Sequence, residues 1–565
     1  MTADALDSTS AAELFFSGAV AAGLRSVLIS PGSRSTPLAV AATATQELTT
    51  HVHLDERTAA FAALGEAKAS GRAVALICTS GTAGANYLPA IAEASMSRVP
   101  LVVITADRPP EHQHWGVGQS LDQRALYGRH VCDEITMPVG GSGGADFTER
   151  IGWRAFQTAC SHQRPVHVNW AFRLPLEPTS APQRPSSNLA PAAPFVPAVI
   201  DHEVDTLSTL LRTSRRPIAI AGPETIRPSD PATGRRLVEA IEALGVPLIA
   251  DALSGLWGHG DVLSAPAHVF ERAPTTPDLV LRLGHTPTTK SIRLWWEQTP
   301  AVPQVLFDPL SEWQDPSHQV THRISGPPTA TLEAVAAALP TASEADEDRS
   351  QHRRSWSEAG RTAHAIVETV LDDTEAFTEA HIGRALQHSR AAALFVSSSM
   401  PIRDLNLFAD SQRPLLAYAN RGINGIDGVV ATAIGVSRAI DDRVLVHIGD
   451  VALLHDIGSV LDAARNGAPL TIVIPNNNGG GIFSNLPIRS AIDPDLFDQL
   501  FHTPHGQDFS FLAAVDGVQH LAVSNVTELS DAITATADSE GVVLLEARVS
   551  TSERLALRDR LNEAL

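Results

Sequence analysis

Cysteine is scarce in this chain: three in 565 residues (Cys78, Cys132 and Cys160), far apart and without metal or redox spacing. That pattern argues against a disulfide framework, a zinc finger or a dithiol redox motif. Long hydrophobic runs are missing too, since nothing approaches the roughly 20 apolar residues of a membrane span. The opening M-T-A-D-A-L-D-S-T-S is too acidic and polar to read as a signal peptide, so a cytoplasmic protein is expected. Positive charge is short as well. Lys and Arg number 42 against 63 Asp and Glu, a net charge of −21, which argues against a nucleic-acid partner. Anionic substrates of so acidic a protein must be held by arginines concentrated locally, which singles out arginines beside glycines at loop tips.

What is present is ordinary globular composition, 44% hydrophobic and 19% charged, in a chain too long for one core. Three domains follow as the expectation, at 1–178, 199–339 and 355–565. In the first, a helix over Ala11–Gly23 precedes a strand, Ser26–Ser30, that opens into Pro31-Gly32-Ser33-Arg34-Ser35-Thr36. Two hydroxyls and a guanidinium at a strand end before a helix start suit an anion. A short strand (His51–Leu54) then feeds a helix from Asp55-Glu56 to Gly71. After it come A-V-A-L-I-C-T-S-G-T-A-G and V-P-L-V-V-I-T-A-D-R-P-P-E. Strands alternating with helices of this length predict a doubly wound α/β sheet. The segment 178–197, rich in Pro, Ser and Ala, reads as a linker.

The middle domain has a six-stranded Rossmann-like layout, but no G-x-G-x-x-G follows a strand, so no dinucleotide site is read there. Its Arg282 and Arg293 are expected on the surface. Residues 341–354 read as a charged linker, with a helix near Ala359–Leu371 leading into the third domain.

In that last domain the run Val444–Ile448 ends in Gly449-Asp450, and the run Leu470–Ile474 empties into Asn476-Asn477-Asn478 and three glycines. The spacing fits strand, crossover helix and parallel strand, so both carboxyl ends share one sheet edge. A carboxylate, a carboxamide and a free carbonyl meeting there form a hard-oxygen site for Mg²⁺, which takes its remaining ligands from water and phosphate.

This G-D-x…N-N layout resembles the diphosphate-anchoring motif of thiamin diphosphate (ThDP) enzymes. The resemblance implies three doubly wound domains (pyrimidine-binding, central and diphosphate-binding). It makes Asp450, Asn477 and the carbonyl of Gly479 ligands of Mg²⁺, with Mn²⁺ as an alternative ion, and Val451 departs from the usual Gly. It assigns Glu56 to the aminopyrimidine N1′, and Gly81, Gly449, Ile426 and Ile482 to the cofactor, with Ile426 propping its bent shape. The stretches P-G-S-R-S-T-P-L, L-D-E-R-T-A-A-F and A-D-R-P-P-E resemble one branch, the menaquinone-pathway SEPHCHC (2-succinyl-5-enolpyruvyl-6-hydroxy-3-cyclohexene-1-carboxylate) synthases. From it Ser33, Arg34, Arg108, Gln119, Lys290, Ser399, Arg403, Arg421, Phe483 and Leu486 carry over as substrate residues. Gly118 stands where the family has Asn. The implied reaction is ThDP- and Mg²⁺-dependent decarboxylation of 2-oxoglutarate and 1,4-addition of the resulting carbanion to isochorismate. The implied assembly is a homodimer or homotetramer with active sites at the subunit interface. Two rivals stand beside it: another ThDP-dependent 2-oxo acid decarboxylase or carboligase, and a non-catalytic nucleotide-binding α/β protein.

Overall fold

A computed structural model of the chain describes residues 6–179, 181, 185–191, 197–263, 275–298, 302–339, 344–389 and 391–565, with backbone alone for 344–346. Parts of both expected linkers (180, 182–184, 192–196 and 341–343) lie outside these residues. The chain divides into two compact units. One comprises Met1–Phe195, Asn420–Asp442 and Asp456–Leu470; the other comprises Val196–Ala419, Arg443–His455 and Thr471–Leu565.

The first sheet contains β1 (Ser26–Ile29), β2 (Thr49–Val52), β3 (Val74–Cys78), β4 (Leu101–Asp107), β5 (Asp133–Met137) and β6 (Val166–Ala171), in the order β2-β1-β3-β4-β6-β5. The second contains β7 (Pro217–Ala221), β8 (Leu248–Ala250), β9 (Val262–Leu263), β10 (Leu279–Leu283), β11 (Gln304–Phe307) and β12 (His322–Ile324), in the order β12-β11-β10-β7-β8-β9. The third contains β13 (Ala393–Val396), β14 (Ala417–Tyr418), β15 (Val444–His447), β16 (Leu470–Asn476), β17 (Val518–Val523) and β18 (Val542–Arg548), in the order β14-β13-β15-β16-β18-β17. Neighbours pair in parallel, as in β1–β3, β7–β10 and β13–β15. Helices cover both faces of such sheets, so the central strands are mostly apolar, and β3, β4 and β16 are buried at every residue. The expected α/β class and the Rossmann-like order of the second sheet are both found.

In the first unit, the helix Glu56–Ser70 starts at an Asp55 N-cap that accepts the Thr58 N–H at 2.8 Å and stops at left-handed Gly71. It crosses the helix Val429–Ile440 with backbones nearly touching. A Cβ on Gly65 would lie 1.9 Å from the Thr432 carbonyl oxygen, and one on Gly435 1.9 Å from that of Ala62. Only glycine permits this approach.

Two expectations are corrected in the second unit. The charged stretch before residue 355 is not an open linker: a continuous helix spans Glu344–Asp372 and buries Arg349, His352, Trp356, Val367 and Leu371 along one side. Arg282 is not a surface residue. It is buried within β10, where it pairs with Asp315 at 2.7 Å, donates to the Gln314 carbonyl at 2.6 Å and stacks 4.4 Å from the Trp296 ring centre. Arg293 is partly exposed and pairs with Glu297 at 2.6 Å.

Candidate active site

In both the first and third sheets strand order reverses beside the first strand, between β1 and β3 and between β13 and β15. Ligands of open α/β sheets bind outside the carboxyl ends of strands at such a reversal. Ser33 and Arg34 follow β1, Gly81 follows β3, Ser399 and Arg403 follow β13, and Gly449 and Asp450 follow β15.

In the second unit, Asp450 begins the helix Asp450–His455 directly after β15 and is buried. Its Oδ2 accepts the Gly479 N–H at 3.0 Å and lies 3.2 Å from His505 Nε2, and its Oδ1 accepts the Val451 N–H at 2.7 Å. The loop after β16 is therefore tied to the end of β15. Gly479 has φ +149°, and a Cβ there would meet the His502 carbonyl oxygen at 2.2 Å. Of the three asparagines, Asn476 is structural: its Nδ2 donates to Glu546 Oε1 at 2.7 Å and to the Gln507 carbonyl at 3.0 Å. Asn477 differs. Its Nδ2 donates to Glu379 Oε1 at 3.0 Å, while its Oδ1 is buried with no hydrogen-bond partner among the described residues. A buried acceptor left open is costly unless a ligand takes it. A Cβ on Gly449 would meet nothing within 4 Å. Together with the Asp450 carboxylate and the Gly479 carbonyl, these features fit a hard-oxygen cation and a phosphate. Among the described residues no group of three or more His, Cys, Asp and Glu side chains is arranged for a metal. The candidate set is of another kind, with one carboxylate.

Ser399 precedes the helix Met400–Phe408 in a left-handed conformation (φ +74°), a conformation costly for a non-glycine residue. Arg403, exposed on that helix, donates to the Ser399 carbonyl. Ile482 and Phe483 lie half-buried in the turn Gly481–Asn485, with the Phe483 ring 5.7 Å from that of Phe501, while Leu486 is exposed. The last helix braces both segments: Arg554 pairs with buried Asp404 at 3.3 Å and reaches Asn485 Oδ1 at 3.4 Å. Lys290 is exposed at the start of the helix Lys290–Glu297.

In the first unit, Glu56 sits half-buried in the first turn of its helix. Arg34 is buried after β1, donating to the Phe172 carbonyl at 2.9 Å. Burial first, and then nearby Arg108, lower its pKa, with Asp107 opposing. Two guanidiniums that feel each other's charge suit a multiply charged anion. Arg108 follows β4 and donates to the Gly118 carbonyl at 3.0 Å. Gln119 (φ +56°) exchanges hydrogen bonds with Ser80, 2.9 Å from Ser80 Oγ to the Gln119 carbonyl and 3.2 Å from Gln119 Nε2 to the Ser80 carbonyl. Gly81 (φ +89°) donates its N–H to buried Gln123 at 3.0 Å. Ser33 is exposed in the turn before the helix Thr36–Ala44. Arg421 and Ile426 lie half-buried on the segment leading to the helix Val429–Ile440. Buried Glu93 holds that segment, accepting the Gly422 and Ile423 N–H groups at 2.8 Å each.

Comparison with known proteins bears on both halves. Residues 9–126 match the family described as thiamine pyrophosphate enzyme, N-terminal TPP binding domain, and residues 404–547 match its C-terminal TPP binding domain. Proteins named 2-succinyl-5-enolpyruvyl-6-hydroxy-3-cyclohexene-1-carboxylate synthase are similar along nearly the whole chain. That of Listeria monocytogenes serotype 4b (strain F2365) is 35% identical, covering 96% of this chain and 95% of its own. That of Halorubrum lacusprofundi is 36% identical (97% and 96%), and that of Geobacillus kaustophilus 37% identical (98% and 97%). The chain belongs to the SEPHCHC synthase family.

It is thus a ThDP-dependent enzyme of the transferase type. The fold also matches a solved structure of a candidate ThDP-dependent enzyme from Mycobacterium smegmatis, with a TM-score of 0.72 over 96% of this chain and 99% of that one at 17% identity. No helix among the described residues is long and apolar enough to cross a membrane. Sequence reading for a SEPHCHC synthase missed Glu93, Glu379 and Gln123. The two carboxylates look like ordinary helix residues, and nothing in their spacing reveals that they hold a site segment.

Proposed function

We propose that this SEPHCHC synthase family member acts in menaquinone biosynthesis. It decarboxylates 2-oxoglutarate and adds the remaining four-carbon unit 1,4 to isochorismate, giving SEPHCHC and CO₂. The observation that best supports the cofactor half is the donor set after β15 and β16: buried Asp450, the open Oδ1 of Asn477 and the Gly479 backbone. These residues would hold Mg²⁺ and the diphosphate. Bound ThDP supplies the carbon that receives the 2-oxo acid and, through its aminopyrimidine, the base that activates that carbon. The carboxylate of Glu56 would hydrogen-bond the pyrimidine N1′ and so favour the tautomer able to take up a proton. Gly81 would approach the pyrimidine by its backbone, Ile426 would prop the cofactor in its bent shape, and Ile482 would line the wall beside it.

Arg34 and Arg108, with Ser33 and Gln119, would bind one anionic substrate. Arg421 would bind a substrate carboxylate, Ser399 and Arg403 would contact substrate or diphosphate, Lys290 would reach the substrate from the second sheet, and Phe483 and Leu486 would form the apolar wall. Residues 1–178, 199–339 and 355–565 would be the pyrimidine-binding, central and diphosphate-binding domains. The enzyme would work as a homodimer or homotetramer with active sites at the subunit interface.

The test is CO₂ release from 2-oxoglutarate with ThDP and Mg²⁺, with and without isochorismate, for wild type and Glu56→Gln. Isochorismate-dependent release that collapses in the variant is expected. Turnover of pyruvate but not 2-oxoglutarate would keep the cofactor and overturn the substrate pair.

A further inference from the structure

Asn477 raises a question of orientation. A carboxamide carries a donor at one end and an acceptor at the other, and only the oxygen can ligate a cation. Rotation about its last torsion exchanges the two, and the energy difference is small unless a neighbour chooses. Here the neighbour is Glu379, the first residue of the helix Glu379–His388, which is only 2% exposed. Its Oε1 accepts from Asn477 Nδ2 at 3.0 Å, and with the donor end fixed there the buried Oδ1 is left as the open group. Glu379 Oε2 is itself buried with no hydrogen-bond partner among the described residues. A second contact works in the same direction. A Cβ on Gly481 would lie 2.6 Å from Asn477 Nδ2, so glycine at that position leaves the carboxamide free to take the Glu379 bond.

We propose that Glu379 is a positioning residue that orients the Asn477 carboxamide, oxygen outward, toward the divalent cation. Partners behind a ligand commonly fix its orientation in this way. The inference rests on the reading of Asp450 and Asn477 as metal ligands. What matters is the reach of an acceptor oxygen to Nδ2, not the negative charge. Two conservative variants therefore separate the two explanations. Glu379→Gln keeps an acceptor oxygen at full reach and drops the charge. Glu379→Asp keeps the charge and withdraws the oxygen by one methylene.

The readout is the Mg²⁺ concentration giving half-maximal ThDP binding, followed by tryptophan fluorescence in the absence of substrate, with melting curves of the cofactor-free proteins beside it. For wild type, binding requires Mg²⁺. For Glu379→Gln the requirement stays within about threefold, since a neutral acceptor loses part of the bond strength but none of its direction. For Glu379→Asp it rises about 10- to 100-fold, the usual cost of losing a partner behind a metal ligand. Gly481→Ala, whose added Cβ would crowd the same Nδ2, raises it about tenfold and covers the case in which the Asp variant does not fold. A Glu379→Asp protein with wild-type Mg²⁺ dependence, or a Glu379→Gln protein impaired as much as the Asp variant, overturns the orienting role. Wild-type ThDP binding that ignores Mg²⁺ would instead overturn the metal-ligand reading beneath it.

Discussion

Asp456 offers a quantitative test of how a buried carboxyl supports the segment that carries Ile426. Its Oδ2 accepts the Val430 N–H at 2.7 Å and the Ala431 N–H at 3.3 Å, at the start of the helix Val429–Ile440, and its Oδ1 accepts the Ser459 hydroxyl at 2.8 Å. The group is fully buried, and burial pushes its pKa from the ordinary 3.8 up to about 6, against these hydrogen bonds and against Arg57 at 3.9 Å. A pKa raised in the fold means the protonated form is favoured there. The contribution to stability is full below the unfolded value and is lost as pH rises through about 6. A rise from 3.8 to about 6 is worth ~3 kcal/mol, of which about half is lost between pH 5 and pH 8. Hydrogen exchange read on peptides covering 429–440 measures this locally, without requiring the whole chain to unfold in one step. Protection, corrected for intrinsic exchange rates, should fall about tenfold from pH 5 to pH 8 in wild type. It should stay flat in Asp456→Asn, which keeps an acceptor but cannot ionise. Equal slopes in the two proteins, or a flat wild type, would refute the reasoning.

Three other perturbations test packing and positioning. Glu93→Ala removes the acceptor of two backbone N–H groups, a loss of about 2–4 kcal/mol; faster proteolysis within 421–427 and a raised KM for the 2-oxo acid are expected, and an unchanged KM would separate this contact from substrate binding. Gly435→Ala places a methyl group where 1.9 Å is available to the Ala62 carbonyl, so the first unit should lose about 3 kcal/mol or more, seen as a lowered denaturation midpoint. A wild-type midpoint would mean that the two helices can separate freely. Gly118→Asn, by contrast, adds a side chain where an added Cβ meets nothing within 4 Å, so the melting temperature should not change, while the KM for isochorismate, the proposed acceptor, should fall.

The sequence made Asp450 and Asn477 legible because each stands where an apolar strand abruptly turns polar, and strands end at ligand edges. For Arg282 a lone charge in D-L-V-L-R-L-G suggests an outward-facing position, which the sheet does not offer. In a parallel sheet covered on both faces neither side is outward, and the charge is met by Asp315 from a distant loop. The stretch before residue 355 reads as a linker on its charge. Its buried positions, Arg349 and His352, continue the helical spacing of Trp356, Ala363, Val367 and Leu371, but both are polar, so no apolar stripe marks the first turns of that helix. Glu93 and Glu379 could not be seen at all. Their partners lie far along the chain, and a carboxylate within a helix carries no mark of whether it faces water or another segment.

The second sheet explains why one of three similar sheets carries so little of the candidate site. Its strand order reverses between β7 and β10, which by position alone is a ligand crevice. The chain itself fills that crevice. A Cβ on Gly222, just after β7, would lie 1.6 Å from the His285 carbonyl oxygen after β10, so the two strand ends are closed upon each other. Asp251, following β8, spends its carboxylate on the Leu253 N–H at 3.0 Å and the Thr288 N–H at 2.9 Å, tying the same loop down. At the reversal of the third sheet the contrast is direct. A Cβ on Gly449 would meet open space, and Asn477 keeps a buried oxygen unspent. Asp450 is engaged by two backbone N–H groups much as Asp251 is, so the difference between the two edges lies in the space beside Gly449 and the unspent Asn477 oxygen.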